Sequence, residues 1–240
     1  MDVIEVVPRL HLLRFPVGQA YLWRDGAELT LIDAGPAGAG RTIADAVRTL
    51  GHDPGDVRRI VLTHFHEDHM GGAGEFAALS GAPVFAHHLD APFVRGEVPG
   101  PRPVLEEWEL PVRAEAQPTL AAHQNAPAPA PVRDLRELAD GDVLDFGGGA
   151  RVVAAPGHTD GSIALHLPHP GVLFAGDAVA ASPVDGQVML GVFNLDRERA
   201  LASFRKLAAL DTRVACSGHG APVTEDAAAL RASADGYAAL

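Results

Sequence analysis

Cysteine is nearly absent: Cys216 is the only one in 240 residues, so no disulfide can form within the chain, and a reducing, cytoplasmic setting is expected. Positive charge is also scarce. Nineteen Lys and Arg stand against 31 Asp and Glu, a formal net charge of −12, and no local run of basic residues offsets it. Such a chain repels phosphate backbones, so nucleic acid is not an expected partner. Lysine itself occurs once, at Lys206; with abundant Ala, Gly and Pro, this reflects genomic base composition and not function. Long apolar runs are missing too. Charged residues or proline interrupt each of them before the roughly 20 residues that a spanning helix needs, and Met1-Asp2-Val3-Ile4-Glu5 has no cationic segment leading into an apolar one. Neither export nor a membrane is expected. The remaining composition, 47% hydrophobic, is that of a globular chain, and one domain over 1–240 is the expectation.

What is present in unusual density is histidine next to carboxylate. Thr63-His64-Phe65-His66-Glu67-Asp68-His69-Met70-Gly71-Gly72 sets three histidines and Asp68 within six residues. Arg58 to Leu62 before it reads as a short buried strand and Gly74 to Leu79 after it as the start of a helix, so the cluster occupies a strand-to-helix loop, where ligands gather in α/β proteins. Neutral imidazole with carboxylate suits Zn, Fe, Mn or a similar divalent ion; a wholly carboxylate site would suit Mg or Ca.

The same grammar recurs along the chain. Val3–Val7 and Leu10–Phe15 read as strands, and Gln19–Arg24 with Glu28–Asp33 as a hairpin closed around Asp25-Gly26. A carboxylate, Asp33, stands at the end of that last strand. Ile43, Ala46, Val47 and Leu50 follow helical spacing, with Gly51 as the C-terminal cap. Pro83–Ala86 reads as a strand ending at His87-His88. From Pro111 to Pro131 the chain turns rich in Pro and Ala and reads as an exposed crossover or lid, with Ala126–Pro131 as an extended, polyproline-like connection. Beyond it, apolar runs end at His158, Asp177 and His219 in turn. Asp196 is placed to cap a helix whose stripe is Ala200, Leu201, Phe204, Leu207 and Ala208, and Thr224 to cap a last one.

These residues carry a resemblance. Leu31-Ile32-Asp33-Ala34-Gly35, the His64–Gly72 cluster, Pro156-Gly157-His158-Thr159, Phe174-Ala175-Gly176-Asp177 and Ser217-Gly218-His219-Gly220 agree in order and spacing with the metallo-β-lactamase superfamily of metallo-hydrolases, which the chain resembles over nearly its whole length. The resemblance implies a mixed α/β (α+β) fold, the four-layer αβ/βα sandwich of the metallo-β-lactamase type. It also implies a ligand set: His64, His66 and His158 on one metal, Asp68, His69 and His219 on the other, Asp177 bridging both. Asp33 would orient the His-rich loop, and Asp68 would be the catalytic residue, relaying a proton to the leaving group. Two divalent ions, zinc first and iron or manganese as alternatives, would acidify a shared water and polarise a carbonyl. The expected reaction is hydrolysis of a small ester, thioester, lactone or amide.

Departures narrow this further. The best-known true β-lactamases have Arg at the position of His69 and Cys at that of Asp177, so antibiotic hydrolysis is not the expected task. Glyoxalase II enzymes share the ligands but add a helical C-terminal domain, and little chain follows His219, so glutathione thioesters are not the expectation. Flavodiiron proteins carry Glu at the position of His66. The alternative that remains is a persulfide-dioxygenase-like oxidoreductase with a single iron on His64, His158 and Asp177. A structural metal site would be closed and typically Cys-rich, unlike this set. His11, His52, His123, His166 and His169 are read as surface or structural residues, and Cys216 as a small buried hydrophobe. Phe93, Trp108, Met189, Leu190 and Phe193 are the candidate pocket residues. No oligomeric state follows from the sequence.

Overall fold

The structure, a computed structural model, describes residues 1–114, 118, 128–182 and 185–238. It divides into two compact units, Met1–Gly100 with Leu105–Glu137, and Pro101–Val104 with Leu138–Leu240.

The first unit is built on a seven-stranded sheet: β1 (Asp2–Val7), β2 (Leu10–Arg14), β3 (Gln19–Asp25), β4 (Glu28–Ile32), β5 (Val57–Val61), β6 (Val84–His87) and β7 (Leu135–Leu138), in spatial order equal to chain order. β1 to β4 form an antiparallel meander. Asp25 pairs with Glu28 and Gly26 adopts φ 61, the left-handed step that a two-residue hairpin turn requires. From β4 onward the pairing becomes parallel, β4 with β5 and β5 with β6, and parallel neighbours need crossovers. Helix α1 (Ala39–Thr49) makes the first, burying Ile43, Ala44, Ala46 and Val47, and Gly51 follows its last turn at φ 84. Helix α3 (Ala73–Ser80) makes the second. Leu22, Leu31, Ile43, Ile60 and Phe76 meet in one core between sheet and helices. Because β4, β5 and β6 are parallel, their C-terminal ends share one edge of the sheet, and the residues that follow each strand are brought together there.

The second unit is built on six strands: β8 (Val143–Leu144), β9 (Ala150–Ala154), β10 (Ile163–Leu167), β11 (Val172–Ala181), β12 (Val188–Leu190) and β13 (Val214–His219). They run in the order β12-β11-β10-β9-β8, with β13 parallel to β11. Further helices among the described residues are α2 (Glu67–Met70) and α4 (Ala91–Val94) in the first unit, and α5 (Arg197–Ala208) and α6 (Ala228–Ala238) in the second; residues 109–114 of the first unit are helical as well. Asp196 caps α5 by accepting from Arg199 N at 3.0 Å, and Ala200, Phe204, Leu207 and Ala208 of its stripe are buried.

The mixed α/β class expected from the sequence is the one adopted; three local expectations are corrected. The His-rich stretch is not loop throughout, since Glu67–Met70 forms one helical turn. Asp177 does not end its strand: β11 continues to Ala181 and passes Asp177 at an irregularity between Gly176 and Ala180, the kind of break that re-aims a side chain. Thr224 caps nothing, as α6 starts four residues later. Asp160 pairs with Arg199 at 2.6 Å. The Pro/Ala-rich connection lies outside the described residues at 115–117 and 119–127; at its end, Ala130 and Pro131 run so close to Gly74 of α3 that a Cβ there would overlap the Ala130 carbonyl. Among the described residues no helix is long and apolar enough to cross a membrane.

Candidate metal centre

At the C-terminal edge of β4, Asp33 takes φ 58 and is 3% exposed. A left-handed step is tolerated by Asp better than by most residues, and here it turns the carboxylate toward the loop after β5. Oδ1 accepts from Thr63 N at 2.8 Å, Oδ2 accepts from Thr63 Oγ1 at 2.8 Å, and Oδ2 lies 2.9 Å from His69 Nδ1. These contacts assign the histidine tautomers. A carboxylate accepts, so His69 holds its proton on Nδ1 and keeps the Nε2 lone pair, which lies 3.6 Å from Asp68 Oδ2. Thr63 spends its one proton on Asp33, so its hydroxyl accepts from His64 Nδ1 at 3.1 Å and His64 too keeps its lone pair on Nε2. That nitrogen stands 3.1 Å from His66 Nδ1. Two imidazole nitrogens at this separation need a proton or a cation between them. His64 and His69 are fully buried, whereas His66 and Asp68 are partly open.

The second unit assembles its own cluster. His158 follows β9 through Gly157, whose φ of 130 suits glycine alone; a Cβ there would overlap Ala200 N in the first turn of α5. The turn is held further by Asp196 N donating to Gly157 O at 2.9 Å and by Thr159 N donating to Ser162 Oγ at 3.0 Å. His158 Nε2 and His219 Nε2 both lie 3.4 Å from the same atom, Asp177 Oδ2. Gly218 permits this approach, because a Cβ at that position would overlap Asp177 Oδ1. His158 is 2% exposed; Asp177 and His219 retain access to solvent.

All seven sequence-predicted ligands are thus gathered within their own units, His64, His66, Asp68 and His69 in the first, His158, Asp177 and His219 in the second. The donor chemistry fits a divalent ion of the Zn, Mn or Fe type: imidazole nitrogens, those of His64 and His69 with the lone pair fixed by a hydrogen bond on the opposite nitrogen, carboxylate oxygens, and no thiolate. The partial exposure of Asp68, Asp177 and His219 fits a reactive site and not a sealed one.

Other expectations sort more unevenly. Leu190 belongs to the core, Phe93 stacks on Phe65 with ring centroids 4.5 Å apart, and Trp108 is exposed; Met189 and Phe193 are partly open. His166 is structural, its Nε2 3.0 Å from Asp211 O, His52 sits beside Asp56, and His123 lies outside the described residues. Cys216 is fully buried, and burial pushes its thiol well above its ordinary value. One residue the sequence reading passed over is Asp90, wholly buried, which accepts from Phe65 N at 3.0 Å. Its only signal is a carboxylate three positions after His87, at the end of a strand parallel to β5.

Comparison with known proteins agrees with this chemistry. The sequence pattern described as the metallo-beta-lactamase superfamily matches residues 13–219. Over 237 residues the chain is 31% identical to the probable metallo-hydrolase YflN of Bacillus subtilis, covering 92% of this chain and 87% of that protein. It is 30% identical over 204 residues to the hydroxyacylglutathione hydrolase of Cereibacter sphaeroides, spanning 83% of this chain but 61% of that one. Among solved structures, a metallo-beta-lactamase family protein from Thermus thermophilus matches with a TM-score of 0.65 and 31% identity over 98% of this chain and 81% of that one. The metallo-beta-lactamase SMB-1, at 22% identity and a TM-score of 0.68 over 92% of this chain and 80% of that one, is similar in fold alone.

Proposed function

Because the chain belongs to the metallo-β-lactamase superfamily and is a metallo-hydrolase, we propose that it cleaves a small thioester, ester or lactone on two zinc ions. His64, His66 and His158 would hold one ion, Asp68, His69 and His219 the other, and Asp177 would bridge them, so that 1–240 works as one functional domain in a reducing cytoplasm. Bound there, the ions would supply a water acidified toward neutral pH and a Lewis acid for the substrate carbonyl.

The chain's own residues have separable tasks. Asp33 keeps the Nε2 lone pair of His69 directed and, through Thr63, that of His64. Asp177 presents one oxygen to two imidazoles, and its negative charge offsets repulsion between two cations. Asp68, partly open and at a helical N-terminus, would pass a proton to the departing thiolate or alkoxide.

The observation that carries this reading is the convergence of His158 and His219 on Asp177 Oδ2, which leaves lone pairs facing a common point. Thioesters rank first because the hydroxyacylglutathione hydrolase of Cereibacter sphaeroides is among the relatives. The test is hydrolysis of a hydroxyacyl thioester, a plain acyl thioester and a lactone, before and after chelation and re-addition of Zn or Mn, together with whole-protein metal analysis. Expected are close to two zinc ions per chain and activity that follows the metal. Full turnover after verified metal removal would overturn the reading, and one iron per chain with oxygen uptake would replace it by a thiol-oxidising one.

A further inference from the structure

We infer that Asp90 is a positioning residue for the metal held by His64 and His66, a second buried carboxylate beside Asp33 with a separate task. Asp33 reaches the side chains of Thr63 and His69 and so sets which ring nitrogens carry lone pairs. Nothing in those contacts fixes the bend of the chain between His64 and His66. That bend passes through Phe65, and its amide is the group Asp90 holds: Phe65 N donates to Asp90 Oδ2 at 3.0 Å.

The geometry shows why the contact exists and why it matters. Asp90 follows β6, the strand parallel to β5, so both stand at one sheet edge. Its own backbone is fastened at both ends, Asp90 N donating to His87 O at 2.9 Å and Phe93 N donating to Asp90 O at 3.0 Å. The acceptor is therefore mounted on a rigid turn. On the other side, the Phe65 ring stacks on Phe93 at 4.5 Å and lies edge-on to His66 at 4.9 Å, and Gly100 leaves it room, since a Cβ there would overlap the ring. Backbone and ring of Phe65 are thus both clamped by the turn that Asp90 begins. With Phe65 fixed, His64 Nε2 and His66 Nδ1 stay 3.1 Å apart, the spacing at which both can bind one ion. A hydrogen bond from a backbone N–H to a carboxylate is about twice as strong as a neutral one, and 0% exposure keeps water from competing for it. The Asp90 side chain makes no cap hydrogen bond to α4, so capping that helix does not account for its burial.

The proposal rests on the dinuclear reading above, and its test needs no substrate. Zinc and cobalt(II) affinities are measured for the two sites by competition with a chromophoric chelator, and the cobalt(II) spectrum is followed during titration. Asp90→Ala is expected to weaken one of the two ions roughly 10- to 100-fold, the range for lost outer-shell partners, and to leave the other within about threefold. Asp90→Asn, which keeps an acceptor oxygen but not the charge, should recover most of that loss. Asp90→Ser, too short to reach Phe65 N, serves if the alanine variant does not fold, and should behave as alanine does. A lowered melting temperature of the metal-free protein with both affinities unchanged in the Ala and Ser variants would make Asp90 merely structural and overturn the inference. Equal weakening of both ions would do the same. Wild-type protein that binds two ions but hydrolyses no substrate would remove the proposed function and leave Asp90's role standing.

Discussion

Two carboxylates that look alike in the sequence part company in the structure. Asp177 meets two histidines through one oxygen, while Asp68 stands 3.6 Å from His69 within the first unit. If Asp177 bridges, Asp177→Ala removes the charge that lets two dications sit together, and both ions should be lost with turnover falling to background. Asp68→Ala should keep about one ion per chain and depress kcat more than it raises KM. Metal counting on the two variants decides; two tight ions in Asp177→Ala would require the site to be redrawn. The proposed ligands were legible in the sequence because they follow apolar runs and four of them are packed into six residues. Asp90 was not, because its partner is 25 residues away and only the parallel pairing of β5 with β6 makes them neighbours. The glycines could be read only as turns. That Gly218 is needed for the approach to Asp177 is a steric fact about two strands.

At the scale of elements, alternation and punctuation carried most of the fold. β10 has the limits its apolar run implies, Ile163–Leu167, and the hairpin turn is where Asp25-Gly26 puts it. Failures occurred where tertiary context overrides local signal. The two-residue β8 and three-residue β12 are too short for a period, and Asp177 reads as a stop because a charged residue inside a buried strand is rare. Helix α5 shows how an element can serve both stability and site. Phe204 lies in its core stripe, fully buried, so Phe204→Ala should cost about 3–5 kcal/mol while leaving the metal content of the folded protein intact. Gly157→Ala should do more than destabilise. The new Cβ meets the backbone of α5's first turn at a φ that disfavours any side chain, which displaces His158. Urea unfolding with metal analysis separates the two variants, and a Gly157→Ala protein that folds and keeps full metal would show that the close packing there is dispensable to the site.

For the molecule as a whole, the lone cysteine offers a readout that nothing else in the chain confuses. Cys216 lies in β13, fully buried, and burial raises its thiol far above the ordinary 9.0. In the folded chain it is neither exposed nor ionised; in the unfolded chain it is both accessible and partly thiolate at about pH 8. The sign follows directly. A thiol raised in the folded state binds more protons there than in the unfolded chain once pH passes about 9, so its contribution to stability is lost as pH climbs beyond that value. At about pH 8, labelling by a disulfide reagent should then report the population of open chains, provided reclosing outpaces the reaction. Ions that bind only the folded chain suppress that population by mass action, about 2.7 kcal/mol at a free metal concentration roughly 100 times Kd. Zinc at that level should therefore slow the labelling of Cys216 by roughly 100-fold, and a chelator should restore the fast rate. Labelling that is rapid in the loaded protein would mean that β13 opens without releasing metal. That outcome is incompatible with His219, three residues along the same strand, being a ligand.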